Sequence, residues 1–320
     1  MKQQKTKLAV FAVVVAVLVT FPLLLAVGGR GQSQAGARSA VGAVVQPLVV
    51  EKRAADDAPA PEKKDASPFA EAAARNTALK YELGWAFGGK QQRGWYLYTP
   101  LISRTLGTTE AEAAGTGFAS ALARWQKAAG LRPSGVLDGD TLYRMVAEWQ
   151  GARLKNKAHA RAEDLLLAPA SDFYDPSRPE ALRQVERETY AAYKRMLGAA
   201  AADPSLGLRL TAAGELAPEE RYLKIVSSFR SPEYQARLRA QSPNSGRAGL
   251  AVNSPHFTGR ALDLYVGGEP VETRDSNRAL QVQTPAYRWL VRNAERFGFR
   301  PYYYEPWHWE YVGNLPVENE

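Results

Sequence analysis

The chain has 320 residues, of which 45% are hydrophobic and 23% charged, a balance that excludes a wholly disordered or fibrous protein and allows about two domains. It has no cysteine, which excludes disulfides, thiolate metal sites and a cysteine nucleophile together, and it has three histidines, His159, His256 and His308, to which any imidazole chemistry is confined. The net charge of +8 favours acidic partners, but no run of Lys and Arg interleaved with aromatics occurs, so no nucleic acid is expected among them.

The N-terminus is polar and carries Lys2, Lys5 and Lys7, and Leu8 to Val27 (LAVFAVVVAVLVTFPLLLAV) is uncharged. Its roughly 20 residues suffice to cross a hydrocarbon core as a helix. Residues 1–27 therefore read as a membrane anchor or a signal. The length favours a retained anchor, whereas the small residues Ala35-Gly36-Ala37 offer a cleavage site. In either case the lysines stay inside and the remainder is exported, which places the protein in the cell envelope, anchored to the inner membrane or secreted, with its globular part outside the cytoplasm. Residues 28–76 are rich in Ala, Gly, Pro and mixed charge without apolar periodicity, and read as a flexible linker.

Aromatic content rises from Tyr81, and a small helical module is expected over 77–152. Phe118, Leu122 and Trp125 fall at i, i+4 and i+7 on one helix face. Gly130 then caps that helix, and Pro133, Gly135, Asp138 and Gly139 mark a turn. Asp140 or Thr141 is expected to cap a second helix that buries Leu142, Met145, Val146 and Trp149. The pattern Trp125-Gln126, Gly130-Leu131, Gly135 and Thr141-Leu142 resembles the peptidoglycan-binding domain found beside many wall hydrolases. A helical pair that only packs on the next domain is the alternative. His159 lies in a charged stretch (RLKNKAHARAE) and is given no role.

The last segment, 165–320, mixes helices and strands without regular alternation, so the fold class is α+β. Pro179 is expected to open a helix whose stripe is Leu182, Val185, Tyr193 and Met196, with Thr189 on the same face. Residues 222–228, 262–266 and 307–312 read as strands.

Three clusters here carry chemistry: SSFRSPEYQ with Arg230, SPHFTGRALDL with His256 and Asp263, and EPWHWEYV with Glu305 and His308. A catalytic zinc site needs three protein ligands and one open position. His256, Asp263 and His308 supply two neutral imidazoles and one carboxylate. Glu305, three residues before His308, is placed to act as general base. Arg230 offers a fixed charge where a carbonyl oxygen becomes an oxyanion. Each of these residues alone has an ordinary structural reading; two of three histidines falling beside carboxylates in short clusters is what points to a site.

Together the clusters resemble the D-alanyl-D-alanine carboxypeptidases of the VanY type. Ser254, His256, Gly259, Ala261 and Asp263 fit the S-x-H-x-x-G-x-A-x-D signature, Glu305, Trp307, His308 and Trp309 the second motif, and Arg230 and Gln235 the upstream arginine segment. The resemblance implies a Zn2+ peptidase on the Hedgehog/DD-peptidase fold that cuts near D-amino acids in peptidoglycan stem peptides. It further implies His256, Asp263 and His308 as metal ligands, Glu305 and Arg230 as catalytic groups, and Ser254 and Gln235 as substrate contacts. An endopeptidase or D,D-dipeptidase on the same scaffold, or an inactive wall-binding protein, are the other readings.

Overall fold

A computed structural model describes residues 68–241 and 251–313. Two two-stranded sheets and one four-stranded sheet organise the chain, with eight α-helices among the described residues. The stretch read as an anchor, residues 8–27, lies outside the described residues, as does most of the linker. Among the described residues no helix is long and apolar enough to cross a membrane.

The first element, α1 (Ala70–Glu82), begins inside the stretch read as linker. Its alanines favour a helix although its apolar pattern is weak, and packing against the following helices holds it in place. Its buried Asn76 donates to the Gly135 carbonyl and accepts from the Leu137 amide, at 2.8 and 2.7 Å. A β-hairpin follows, β1 (Gly84–Phe87) and β2 (Lys90–Arg93), so the module is not all-helical as expected. Gly88 and Gly89, with φ of 58° and 79°, supply the two left-handed residues that a two-residue hairpin turn requires.

Helix α2 (Thr99–Leu106) leads to α3 (Thr116–Ala128), which buries Phe118 and Leu122. Gly130 takes φ of 74°, and the Leu131 amide returns to the Gln126 carbonyl, closing the helix end. Helix α4 (Gly139–Gly151) is capped by Asp138, whose side chain accepts from the Thr141 amide at 2.9 Å; the cap lies two to three residues before the expected one. Leu142, Met145 and Val146 are buried and Trp149 is half-buried.

The expected helix at Pro179 gives way to a single 3-10 turn (Glu180–Leu182) and then a strand, β4 (Gln184–Glu186), paired with β3 (Leu165–Leu167). Helix α5 (Arg187–Ala201) begins only afterwards. Glu186 explains the displacement. Its carboxylate accepts from the amides of Glu188 and Thr189 and from the Thr189 hydroxyl, at 3.1, 2.8 and 2.6 Å, which caps the helix and satisfies the buried threonine.

The main sheet is antiparallel with strand order β5-β6-β8-β7: β5 (Ile225–Ser227), β6 (Ala261–Leu264), β7 (Phe299–Tyr302) and β8 (Glu305–Tyr311). Helix α6 (Pro232–Gln241) follows β5, and α7 (Asp275–Gln281) and α8 (Pro285–Asn293) lie between β6 and β7. Every residue of β6 and β8 is buried, so both faces of the sheet are covered. One face contributes Leu262, Leu264 and Trp309 to the core, where the Tyr287 ring of α8 lies 6.4 Å from Trp309.

The module and the sheet lie within one compact unit, residues 61–320. Phe87 at the tip of the first hairpin packs its ring 5.0 Å from both Tyr303 and Tyr304, which form the β7–β8 turn. The buried Arg278 of α7 donates to the Tyr98 hydroxyl at 2.8 Å and stacks 4.2 Å over Tyr304. The turn immediately preceding Glu305 is thus wedged between the module and α7.

Candidate metal centre

Strand register brings the central residues together. Ser227 of β5 pairs with Asp263 of β6, and Asp263 pairs with His308 of β8. Directly opposed residues on antiparallel strands lie about 5 Å apart on one face, so these three form a row across the sheet. His256 arrives separately, on a 3-10 turn (Pro255–Thr258) whose N-cap is Ser254; the Ser254 hydroxyl accepts from the His256 amide at 3.3 Å.

That turn ends at Gly259, with φ of 68°. A Cβ there would lie 2.8 Å from Leu165 Cδ2 and 3.0 Å from the Glu186 amide, so the glycine is needed both for its backbone and for the close approach of β3 and β4. Gly259→Ala should destabilise the fold by about 2–4 kcal/mol from the left-handed strain and the overlap together. Urea unfolding checks this, and an unchanged midpoint would count against the reading.

The three side chains converge. His256 Nε2 lies 3.3 Å from Asp263 Oδ1, and His308 Nδ1 lies 2.9 Å from the same oxygen. One ligand atom from each residue falls within 4.8 Å of the others, and all three residues are buried. Each imidazole is held by its other nitrogen: His256 Nδ1 donates to the Ser228 carbonyl at 2.7 Å, and His308 Nε2 to Glu310 Oε1 at 3.1 Å. These bonds set the tautomers that leave Nε2 of His256 and Nδ1 of His308 as lone-pair donors.

The electrostatics match a cation site. Burial pulls His256 down to about 4, with the Arg230 charge adding to it. Burial acts the same way on His308, but hydrogen bonds to Asp263 and Glu310 outweigh it and hold the ring up at about 9. Burial raises Asp263, yet the imidazole of His256 and the guanidinium of Arg230 hold it well below the usual carboxylate range. A position between Asp263 and His308 that binds a proton so firmly is one that a metal ion can take over.

The residues present fit zinc on two counts. Ligand atoms about 2.1 Å from a tetrahedral ion lie ~3.4 Å apart, close to the two separations from Asp263 Oδ1. Moreover, Glu305 is buried and its Oε1 has no hydrogen-bond partner. Burial pushes this carboxyl up to about 8, and His308, Asp263 and Arg230 are the charges that act on it most strongly after that. An orphaned buried oxygen beside three convergent donors is the signature of a site that takes another group.

Arg230 is engaged more fully than expected. Its Nη2 donates to Asp263 Oδ2 at 2.6 Å, its Nε to Ser227 Oγ at 2.9 Å, and its Nη1 reaches Gln235 Oε1 at 3.4 Å. Gln235, expected at the substrate, is buried between Arg230 and the Ala251 carbonyl, to which it donates at 3.1 Å. Ser254 and Gln235 thus each make a hydrogen bond to a residue of the centre, His256 and Arg230 respectively. His159 packs its ring 4.9 Å from Phe257, the residue after His256, in a structural role.

Sequence reasoning missed Glu310. It stands two residues after His308 on one strand, and period-two alternation puts both on the same face. The signal was present in WHWEY.

Comparison with known proteins gives the following. Residues 182–314 match a family described as VanY: D-alanyl-D-alanine carboxypeptidase, a span that includes every residue of the centre. Among solved structures, the chain is similar to a mutant of VanY, a vancomycin resistance D,D-pentapeptidase from a VanB-type resistance cassette, crystallised in complex with Zn(II). The identity is 21%, the TM-score 0.31, and the alignment covers 52% of this chain and 89% of that one. No curated protein sequence matches the chain.

Proposed function

We propose that the segment matching the VanY family is a zinc-dependent peptidase that hydrolyses bonds at D-amino acids in peptidoglycan stem peptides, with D-alanyl-D-alanine carboxypeptidase as the activity. The observation that carries the reading is the convergence of His256, Asp263 and His308 beside the orphaned carboxyl of Glu305. The family match over 182–314 supports it, as does the Zn(II) bound by the VanY structure to which the chain is similar.

In this reading His256 Nε2, His308 Nδ1 and an oxygen of Asp263 hold the metal. Zinc, when bound, polarises a carbonyl and activates water for attack at neutral pH. Glu305 takes up a proton at the Oε1 that has no protein partner and delivers it to the departing amine. Arg230 grips the outer oxygen of Asp263, and its Nη1, held only loosely by Gln235, is the donor left to face a developing oxyanion. Ser254 and Gln235 act as supports of these groups.

The N-terminal apolar stretch fits delivery to the cell envelope, and the helical module fits attachment to the wall. A digest of defined pentapeptide and tetrapeptide muropeptides tests the activity. Loss of one terminal D-alanine, abolished by a chelator and restored by zinc, is the expected result. Products cut inside the stem would mark an endopeptidase, and hydrolysis of free D-alanyl-D-alanine with the muropeptides left intact a D,D-dipeptidase, while no cleavage of either substrate would leave only a wall-binding role.

A further inference from the structure

Glu310 is wholly buried, and three donors meet on its carboxylate. One is His308 Nε2. The other two come from outside the sheet: the guanidinium Nη2 of Arg153, and the backbone amide of Leu154 at 3.0 Å. Arg153 and Leu154 directly follow α4 and precede by nearly thirty residues the span that matches the peptidase family. The same guanidinium lies 4.0 Å over the ring of Tyr302, and that ring stands edge-on to the His308 imidazole at 6.0 Å. Arg153 is itself aimed by α4, since its Nη1 donates to Gln150 Oε1 at 2.7 Å.

We propose that Arg153 is a positioning residue of the metal centre, acting through Glu310 to fix the rotation and tautomer of His308. The inference rests on His308 being a metal ligand. A carboxylate that accepts from the far nitrogen of a ligating imidazole orients the ring and raises its basicity. Here that carboxylate is buried, so it needs charge compensation, and the compensation is provided by a residue just past the last helix of the module. Without Arg153 the carboxylate keeps His308 as its main side-chain partner and is free to rotate with it. The segment that follows α4 thus reaches the metal centre through Glu310.

The test uses the full chain and two readouts independent of peptidase turnover: zinc affinity by competition with a chromophoric chelator, and the visible spectrum of the cobalt(II)-substituted protein. Arg153→Ala should weaken zinc binding about 10–100-fold and shift the cobalt spectrum, as loss of an outer-shell partner does. Arg153→Lys, which keeps the charge but not the fork, should fall between the two. Glu310→Gln should show a similar loss, and adding Arg153→Ala to it should cost less than about twofold more, because residues acting through one another are not additive. If Arg153→Ala does not fold, Arg153→Gln, which keeps part of the aliphatic stem without the guanidinium, carries the same expectation. Zinc affinity and cobalt spectrum unchanged in these variants, or losses that multiply in the double variant, overturn the proposal. A parent protein that binds no zinc would sink the metal-centre reading itself, and this inference with it.

Discussion

Replacing Glu305 by glutamine should leave zinc bound and lower stem-peptide hydrolysis about 10²–10⁴-fold, the usual contribution of a positioned acid–base group. Glutamine keeps the shape and fills the same space, so the three metal ligands are undisturbed. What is lost is the ability to accept and return a proton. The environment is tuned for that exchange: burial pushes the carboxyl up to about 8, and a nearby divalent cation would draw it back towards the range in which a base works at neutral pH. Wedging of the Tyr303-Tyr304 turn by Phe87 and Arg278 holds the start of β8, and Glu305 with it, in place. Zinc content by elemental analysis and kcat on a defined pentapeptide separate the two effects. Activity within threefold of the parent, with zinc retained, would move the base to another residue.

Asp263→Ala should have the second large effect, on stability as well as on the metal. In chelator, where no ion can contribute, the variant is expected to be about 3–5 kcal/mol less stable than the parent, because it leaves the Arg230 charge buried without its partner. Both side chains of that pair are nearly inaccessible, at 9% and 2%. His256→Ala should cost less under the same conditions, since it removes a neutral ring and opens a small void without stranding a charge. Asp263→Asn, which still accepts a hydrogen bond, should lie between them. Urea unfolding in chelator measures all three. Equal stability of Asp263→Ala and the parent would show that the Arg230 pair does not hold this region together.

Much of the centre was legible because its residues are rare or chemically pointed. Two histidines out of three, each beside a carboxylate, left few alternatives, and motif spacing brought Arg230 into the same set. Less was legible where a residue's role depends on what lies across the fold. Nothing local distinguishes Arg153 from the other charges of its linker; its meaning comes from a strand more than 150 positions away. The bonds that Gln235 and Ser254 make within the protein, to the Ala251 carbonyl and from the His256 amide, involve backbone groups with no sequence signature. The helix expected at Pro179 failed for a related reason. The apolar period was real, yet pairing with β3 and the Glu186 cap determined where helical structure could start. In the module, Gly88-Gly89 was a readable hairpin turn whose second flank, Lys90–Arg93, is wholly polar and lacks the alternation that normally marks a strand.

Strand order has a consequence for assembly. β8 follows β7 through a tight turn and lies between β7 and β6, so the β7–β8 pair joins the rest of the sheet along β6. His308 travels with that pair, whereas His256 and Asp263 belong to the part that receives it. An ion gripping residues from both sides would act as a latch on the docked pair, converting its own binding energy into resistance against the pair peeling away.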